Sequence, residues 1–289
     1  MTHIERFRTY IKDGAFYKFP GCYDAIGAKL IENAGYDGLY ITGSGVSLSL
    51  LGHPDINTVS YGELYQRIYQ IRSSVDIPMI VDIDTGYGGP LNLIRLIKDF
   101  EAIDIAAVQI EDQIAPKRCG HELGRKVVPD DEMKARIQTI LDTRKKGISI
   151  IARTDAYTAY GIDECIRRAN LYLEAGADII FVESPETIED IKRIGREVRG
   201  ATLFNNVEGG RSPFVSEADL TAWGFKCSIY PNMITRVVCC RAKELLETLR
   251  DTGTTEAMWS EMMSHKDLWK LFGSQDFYDL EQKYSHFRD

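Results

Sequence analysis

The chain has 289 residues, a formal net charge of −8 and an apolar fraction of 44%. This length suits one large α/β barrel or two smaller domains, and an acidic chain without a basic stripe argues against nucleic acid as a partner. No apolar run approaches the roughly 20 residues that span a bilayer, so no membrane partner is expected. The six cysteines lack CxxC spacing and the first residues, MTHIER, form no apolar signal segment, which predicts a reduced, cytoplasmic protein.

Short apolar runs alternate with helical segments along the chain. A helical stretch at 3–13 precedes eight apolar runs, at 16–21, 38–42, 78–83, 105–110, 148–152, 178–182, 201–205 and 226–230. Helical segments follow them at 24–31, 60–74, 91–102, 130–146, 163–175, 186–198, 215–223 and 233–250. Apolar strands that alternate with helices predict a parallel sheet, and eight units predict a closed (β/α)8 TIM barrel. An open doubly wound sheet is the alternative, but no GxGxxG follows the first strand.

We assign residues 1–250 to the barrel and 251–289 to a C-terminal helical extension. A helical segment at 255–271 and an aromatic tail, with Phe277, Tyr278, Tyr284 and Phe287, lie beyond the eight repeats. A tail with this many aromatic residues is more often packed than disordered. A subunit interface and an intramolecular cap both remain open.

Polar residues end every predicted strand, and a TIM barrel places its function at the carboxyl ends of its strands. Asp82 and Asp84 are separated by one residue, so on a strand both side chains would point the same way, and Glu111 ends the next strand. Three such carboxylates suit Mg²⁺, with Mn²⁺ as the alternative ion, and no histidine cluster indicates zinc. Asp-x-Asp alone is weak evidence, because carboxylates that cap a loop are common.

A carboxylate ligand has candidate partners at the same rim. Arg153 could bind it bidentately, and Ser44 with the backbone donors of Gly43 and Gly45 could hold a second carboxylate. Together with the metal, which can stabilise a developing enolate, these residues favour chemistry on a small carboxylic acid.

The stretch Lys117-Arg118-Cys119-Gly120-His121 follows the fourth strand on a predicted loop. Cationic neighbours lower the pKa of a thiol, which makes Cys119 a candidate acid or base that exchanges a proton with carbon. The alternative is a mobile basic loop with an incidental cysteine. If Cys119 acts as an acid or base beside the polar rim, the sequence predicts cleavage or formation of a carbon–carbon bond next to a carboxylate.

The chain resembles the isocitrate lyase and phosphoenolpyruvate mutase superfamily, in the branch of methylisocitrate lyase, 2,3-dimethylmalate lyase and carboxyphosphonoenolpyruvate mutase. The segments that carry the resemblance are, in order, PGCYDAIGAKL, TGSGVSLSLLGHPD, DIDTGYGGPLN, EDQIAPKRCGH, ARTDA, FVES and NNVEGG. The resemblance implies Mg²⁺ at Asp82 and Asp84, with Glu111 acting through water. It also implies catalysis by Cys119 on a flexible gating loop that Lys117 and His121 tune. The implied substrate contacts are Thr42, Gly43, Ser44, Asp55, Cys119, Gly120, Arg153, Glu183, Asn205 and Arg236.

The resemblance further implies a homotetramer of paired dimers that swap the last barrel helix, and a Mg²⁺-dependent lyase. Its substrate would be a 2-hydroxy di- or tricarboxylate of the 2-alkylmalate or methylisocitrate type, cleaved by retro-aldol/Claisen chemistry to a 2-oxo acid and a smaller carboxylate. His265 stands where methylisocitrate lyases have arginine, which favours a dicarboxylate, whereas Arg236 matches their other arginine. The alternatives are a phosphonomutase that uses the same rim and, third, a non-enzymatic binder of small acids.

Overall fold

The computed structural model describes residues 1–118, 120, 122 and 124–285. Eight parallel strands form a closed barrel in chain order, and β1 pairs with β8 to close it. The strands are β1 (Tyr17–Cys22), β2 (Leu39–Ile41), β3 (Met79–Asp82), β4 (Ala107–Glu111), β5 (Ser149–Thr154), β6 (Ile179–Val182), β7 (Thr202–Asn205) and β8 (Cys227–Tyr230). The predicted TIM barrel is confirmed.

One helix precedes the first strand, and the others connect the strands on the outside of the barrel. They are α1 (His3–Lys12), α2 (Ala25–Asn33), α3 (Gly43–Leu51), α4 (Tyr61–Arg72), α5 (Pro90–Ala102), α6 (Asp130–Thr143), α7 (Tyr157–Glu174), α8 (Ile188–Glu197) and α9 (Glu217–Ala222). Thr2 and Ser60 form capping boxes that fix the starts of α1 and α4.

Two helices differ from the sequence prediction. Helix α3 was not predicted, because its Gly43 and Gly45 are residues typical of loops, yet Thr42 caps it by accepting a hydrogen bond from Gly45 N at 3.4 Å. Helix α7 has an additional first turn from Tyr157, which Gly161, with a non-helical φ of 78° and ψ of −178°, separates from the main helix that was predicted to start at residue 163. The α3 difference matters because it turns a predicted rim loop into a helix N-terminus.

Two apolar layers hold the barrel together. The inner layer fills the barrel with strand side chains such as Tyr40, Ile80 and Phe181, and Phe7 of α1 packs on Phe19 at a ring distance of 5.7 Å. The outer layer joins the other face of the strands to the helices. Burial on both faces explains why the strand sequences are apolar throughout and do not alternate.

The strand register brings the polar strand ends to one rim. Asp82 pairs with Gln109, and Glu111 pairs with Arg153 on the next strand. Residues from neighbouring strands therefore lie side by side at the carboxyl end of the barrel, where a rigid scaffold can hold a site.

Chain contacts divide the protein into two units, Met1–Ile234 and Thr235–Asp289. The second unit contains most of α10 (Met233–Thr252), a 3₁₀ helix (Glu256–Glu261), α11 (His265–Leu271) and α12 (Ser274–Ser285). This division falls inside α10, and the boundary at residue 250 stays a prediction. Among the described helices, none is long and apolar enough to cross a membrane.

Apolar side chains of the second unit are exposed on the single chain. Trp259, Trp269, Phe277, Tyr278 and Tyr284 are all exposed, and no residue of α12 is buried. Phe287, the last aromatic residue of the predicted tail, lies outside the described residues.

Candidate active site

Three carboxylates converge at the rim of the barrel. Asp82 ends β3, Asp84 lies in the turn after it, and Glu111 ends β4. One oxygen from each lies within 4.8 Å of the others, and all three side chains are buried. The side chains of Asp82 and Asp84 both reach the rim, as predicted, but the alternation of side chains along a strand is not the reason. Strand β3 has already ended at Asp82, and Asp84 has a left-handed φ of 49° that turns its side chain to the rim.

The carboxylate oxygens of this cluster are suited to a bound cation. Both carboxylate oxygens of Glu111 are buried and accept no hydrogen bond from any described residue. Lys117 Nζ forms an ion pair with Asp84 Oδ1 at 2.8 Å, and Arg153 Nη1 lies 3.4 Å from Glu111 Oε2. A buried acceptor without a donor costs about 1–3 kcal/mol, more when charged, so unsatisfied oxygens at this spacing are suited to a metal ion.

Burial raises the pKa of all three carboxyl groups. The pKa of Asp84 rises to about 7 because of burial and its like-charged neighbours, against the attraction of Lys117. The pKa of Asp82 is raised and that of Glu111 is raised well above its ordinary range, mainly by burial. A divalent cation would therefore compete with protons for this cluster near neutral pH.

Lys117 reaches the cluster from the loop after β4. Its Nζ donates to both oxygens of Asp55, at 2.7 and 2.8 Å, besides pairing with Asp84. Burial acts to lower the pKa of Lys117, but Asp84, Glu111 and Asp55 raise it well above its usual value. Lys117 therefore stays protonated, and Asp55 holds its ammonium group in place.

Arg153 of β5 is held flat in the rim by Asp155. The guanidinium donates from Nε and Nη2 to the two oxygens of Asp155, both at 2.9 Å, and lies 5.3 Å from the Phe181 ring centroid. Its Nη2 is 3.5 Å from Glu183 Oε2. A buried arginine with a fixed plane is suited to bidentate binding of a carboxylate.

Asp155 also anchors the end of the loop that carries Lys117 and that follows β4, which we call the β4–α6 loop. Arg125 Nη1 donates to Asp155 Oδ1 at 2.6 Å, and both side chains are fully buried. The pKa of Asp155 is lowered: burial acts to raise it, but the charges of Arg153 and Arg125 outweigh burial. Sequence analysis missed this role of Asp155, although the spacing of Arg153 and Asp155 by two residues was a usable signal.

Gly120 of the β4–α6 loop packs directly on the rim. A Cβ at Gly120 would lie 2.4 Å from Arg153 Nη2 and 2.7 Å from Glu183 Cδ, so only glycine fits there. Gln113 holds the loop through both backbone groups of Arg118, at 2.9 and 3.0 Å. Cys119 and His121, the other predicted catalytic residues of this loop, lie outside the described residues.

The remaining predicted substrate contacts lie at three places. Thr42, Gly43 and Ser44 form the start of α3, and a Cβ at Gly43 would lie 3.4 Å from Asp82 Oδ2. The positive end of the α3 dipole therefore faces the carboxylate cluster, where it favours negative charge. Asn205 ends β7 and donates from Nδ2 to Glu183 Oε2 at 3.3 Å. Arg236 lies on α10, and its predicted role stays a prediction.

Comparison with known proteins identifies the family. The model of the family described as phosphoenolpyruvate phosphomutase matches residues 7–250. The chain belongs to this family. The resemblance predicted from the seven motif segments is confirmed.

Curated relatives within the superfamily carry lyase names. A 2,3-dimethylmalate lyase of Eubacterium barkeri is 40% identical over 267 residues, which cover 92% of each chain. A 2-methylisocitrate lyase of Halalkalibacterium halodurans is 36% identical, over 96% of this chain and 92% of the relative. Among solved structures, phosphonopyruvate hydrolase in complex with oxalate and Mg²⁺ matches with a TM-score of 0.89 at 27% identity, over 98% of this chain and 99% of the other.

Proposed function

We propose that this chain is a Mg²⁺-dependent carbon–carbon lyase that cleaves a 2-hydroxy acid with at least two carboxylates. The observation that carries the proposal is the buried cluster of three carboxylates beside Arg153, in which both oxygens of Glu111 accept no hydrogen bond from a described residue, in a chain 40% identical to a 2,3-dimethylmalate lyase. Carboxylate and hydroxyl oxygens of such an acid match the ligands that this rim leaves open.

Asp82 and Asp84 would hold the metal ion, Mg²⁺ with Mn²⁺ as the alternative, and Glu111 would act through water. When bound, the ion polarises substrate oxygens and stabilises the negative charge that forms on them. The crystal structure of the related phosphonopyruvate hydrolase with oxalate and Mg²⁺ supports this choice of ion. Lys117 and Arg153 add fixed positive charge around the same space.

Arg153 would bind one substrate carboxylate through its guanidinium, and the backbone donors at the start of α3 would bind the other. Asn205 Oδ1, which is buried without a described hydrogen-bond partner, faces the same rim as a further contact. Two carboxylate sites within the barrel support a 2-alkylmalate. Arg236, which matches an arginine of methylisocitrate lyases, favours a tricarboxylate of the methylisocitrate type. His265 stands where those enzymes have their other arginine, and this favours the smaller 2-alkylmalate.

In the reaction the bond between C2 and C3 breaks, the C2 hydroxyl loses its proton, and C3 takes one up. The products are a 2-oxo acid, of the pyruvate type, and a smaller carboxylate. Cys119 is the candidate that supplies the proton to C3, and His121 and Lys117 tune its loop. Gly120 lets the loop come close enough to Arg153 and Glu183 to exclude water.

The second candidate function is phosphonate chemistry. The family model takes its description from a phosphomutase, and the phosphonopyruvate hydrolase structure has the same fold. A phosphonomutase would use the same carboxylate cluster and Arg153, with a phosphonate in place of one carboxylate.

The test is release of a 2-oxo acid from 2,3-dimethylmalate, methylisocitrate and citramalate in Mg²⁺. We expect release from at least one acid, abolished by EDTA and reduced at least about 100-fold in Cys119→Ser. Cys240→Ser, which removes an exposed thiol, is the matched control and should retain activity. A folded protein that binds Mg²⁺ and oxalate but releases no 2-oxo acid would reject the lyase, and the phosphonate substrates would be tested next.

We also propose a homotetramer in the cytoplasm. The exposed aromatic residues of the second unit support association with further copies, because large apolar patches on a single chain mark interaction surfaces. Light scattering of the purified protein should give four times the 32.7 kDa mass of the chain, and a monomer at micromolar concentration would contradict the proposal.

A further inference from the structure

Asp112, directly after β4, is a buried carboxylate that the proposed reaction does not use. Its side chain has no exposed surface. Neighbouring residues of an extended chain point to opposite sides, so Glu111 faces the rim and Asp112 faces the helices outside the barrel, where it contacts α7. The predicted site residues do not include Asp112.

Asp112 contacts three consecutive residues at the end of β5. Its backbone N–H donates to the carbonyl oxygen of Arg153 at 3.1 Å. Its Oδ2 accepts a hydrogen bond from Thr154 Oγ1, and its Oδ1 accepts one from the backbone N–H of Asp155, both at 2.8 Å. Strand β5 ends at Thr154, so Asp112 holds the backbone at the point where the chain leaves the sheet.

The hold on Asp155 matters for the orientation of Arg153. The two residues are separated by one position, so their side chains lie on the same side only while the chain runs extended between them. Asp155 uses both carboxylate oxygens to bind the Arg153 guanidinium at 2.9 Å. A turn of the backbone at Asp155 would move this carboxylate away from the guanidinium and leave Arg153 without its fixed plane.

Arg168 and Tyr172 of α7 hold the carboxylate of Asp112 from behind. The Tyr172 hydroxyl donates to Asp112 Oδ2 at 2.8 Å, and Arg168 Nη1 donates to the same oxygen at 3.3 Å. Arg168 Nη1 also lies 3.1 Å from the Tyr172 hydroxyl oxygen, which can accept from Arg168 while it donates to Asp112. The charge of Arg168 offsets that of Asp112, which would otherwise be a second buried carboxylate beside Asp155. A polar network satisfied in this way is rigid.

We propose that Asp112 is a positioning residue that fixes the plane of Arg153 by holding the backbone of Asp155. Arg168 and Tyr172 keep the Asp112 carboxylate in the place where it can do so. The consequence rests on the proposed function, in which Arg153 binds a substrate carboxylate. Asp112 therefore contributes to substrate affinity from the helix side of the barrel, without contact to the substrate.

The first measurement is the dissociation constant of oxalate for the full-length protein in Mg²⁺, by calorimetry. In Asp112→Asn an NH₂ group must face either the N–H of Asp155 or the guanidinium of Arg168, so the constant should rise about five- to thirtyfold. Tyr172→Phe conserves charge and shape but removes one donor to Asp112, and a rise of about two- to tenfold is expected. If Asp112→Asn does not fold, Tyr172→Phe carries the test. Unchanged oxalate affinity in the folded variants would overturn the proposal.

Glu101→Gln is the matched control, because Glu101 is a buried carboxylate that holds the other end of the same strand. Its oxygens accept hydrogen bonds from the backbone N–H groups of residues 145–148, directly before β5, at 2.7 to 3.1 Å. Both variants should lower the thermal midpoint of unfolding. Glu101→Gln should leave the oxalate dissociation constant within about twofold of the wild type, since it acts at the far end of the barrel. Equal loss of oxalate affinity in the two variants would mean that Asp112 acts only through stability, and would reject its positioning role.

Steady-state kinetics separate positioning from chemistry. Arg153 binds its carboxylate in the ground state and the transition state alike, so KM for the acid should rise by the same factor as the oxalate constant in Asp112→Asn, while kcat changes less than about twofold. A fall in kcat with an unchanged KM would contradict this account.

Crystal structures of the two variants give a readout that needs neither oxalate nor turnover. The Arg153 guanidinium should be displaced by more than about 0.5 Å in Asp112→Asn and should stay in place in Glu101→Gln. If the wild type binds no oxalate, the proposed role of Arg153 fails, and these structures alone decide the role of Asp112. An undisplaced guanidinium in Asp112→Asn would then reject it.

Discussion

Asp155 carries the negative charge that holds two arginines at the rim, so Asp155→Asn is a sharp test of the site. The change conserves shape and removes the charge. Asp155 accepts two bonds from Arg153 and one from Arg125, at 2.6 to 2.9 Å, with no exposed surface. An asparagine keeps one oxygen, so its NH₂ group must face a guanidinium N–H in either orientation.

The expected cost is about 3–5 kcal/mol in the free energy of unfolding, the range for removing one partner of a buried ion pair. It is measured by urea denaturation at pH 7. The lowered pKa of Asp155 means that its contribution is present above the unfolded value of 3.8 and is lost as the pH falls through the lower folded value. The difference between wild type and variant should therefore shrink in acid below about pH 4.

Oxalate binding gives the functional readout, because Arg153 loses the group that fixes its plane. Its dissociation constant, measured calorimetrically in Mg²⁺, should rise at least about tenfold, equivalent to about 1.4 kcal/mol. Asp163→Asn is the control, since Asp163 pairs with Arg193 on the surface with its side chain 86% exposed, and neither stability nor binding should change. A stability loss below about 1 kcal/mol with unchanged oxalate binding would refute the role of Asp155.

Further predictions concern the metal cluster and the loop. Because the pKa of Asp84 is raised to about 7, Mg²⁺ affinity by calorimetry should fall at least about tenfold per pH unit below pH 7. Asp84→Asn should make this dependence less steep without abolishing it, because the pKa values of Asp82 and Glu111 are raised as well. The same raised pKa stabilises the metal-free protein below the unfolded value of 3.8, and this contribution should disappear as the pH rises through about 7. Gly120→Ala should lower kcat at least about 100-fold with Mg²⁺ binding intact, because its Cβ would clash with Arg153 and Glu183. Turnover near wild type in Gly120→Ala would contradict the packing of the loop on the rim.

Much of the fold could be predicted from local patterns. Eight apolar runs separated by amphipathic segments specify a parallel barrel, because strands buried on both faces have no polar side. Helix α3 was not predicted, because its start, Thr42-Gly43-Ser44-Gly45, consists of residues that are typical of loops. What decides the helix is the Thr42 cap and packing: a Cβ at Gly45 would lie 2.7 Å from the Thr42 side chain, so glycine is needed for close approach.

The candidate site could be predicted in part. Asp82 and Glu111 end their strands and Arg153 lies one residue before the end of β5. The carboxyl ends of all strands in such a barrel meet at one rim, so these residues are brought together by the fold alone. Asp84 reaches the cluster through a left-handed turn that no strand pattern contains. The role of Asp155 went unnoticed because its partner Arg125 belongs to a loop whose path is set by packing.

The sequence by itself determined the order of the strands, the set of polar residues at their ends and the family, because these depend on local periodicity and on motifs contiguous in the chain. Only the tertiary structure decided which charges meet. Lys117 pairs with Asp55 across 62 residues, and Arg125 pairs with Asp155 across 30. Contacts at such separations depend on the strand register and loop path of the folded barrel, and local sequence does not encode the distance between two loops.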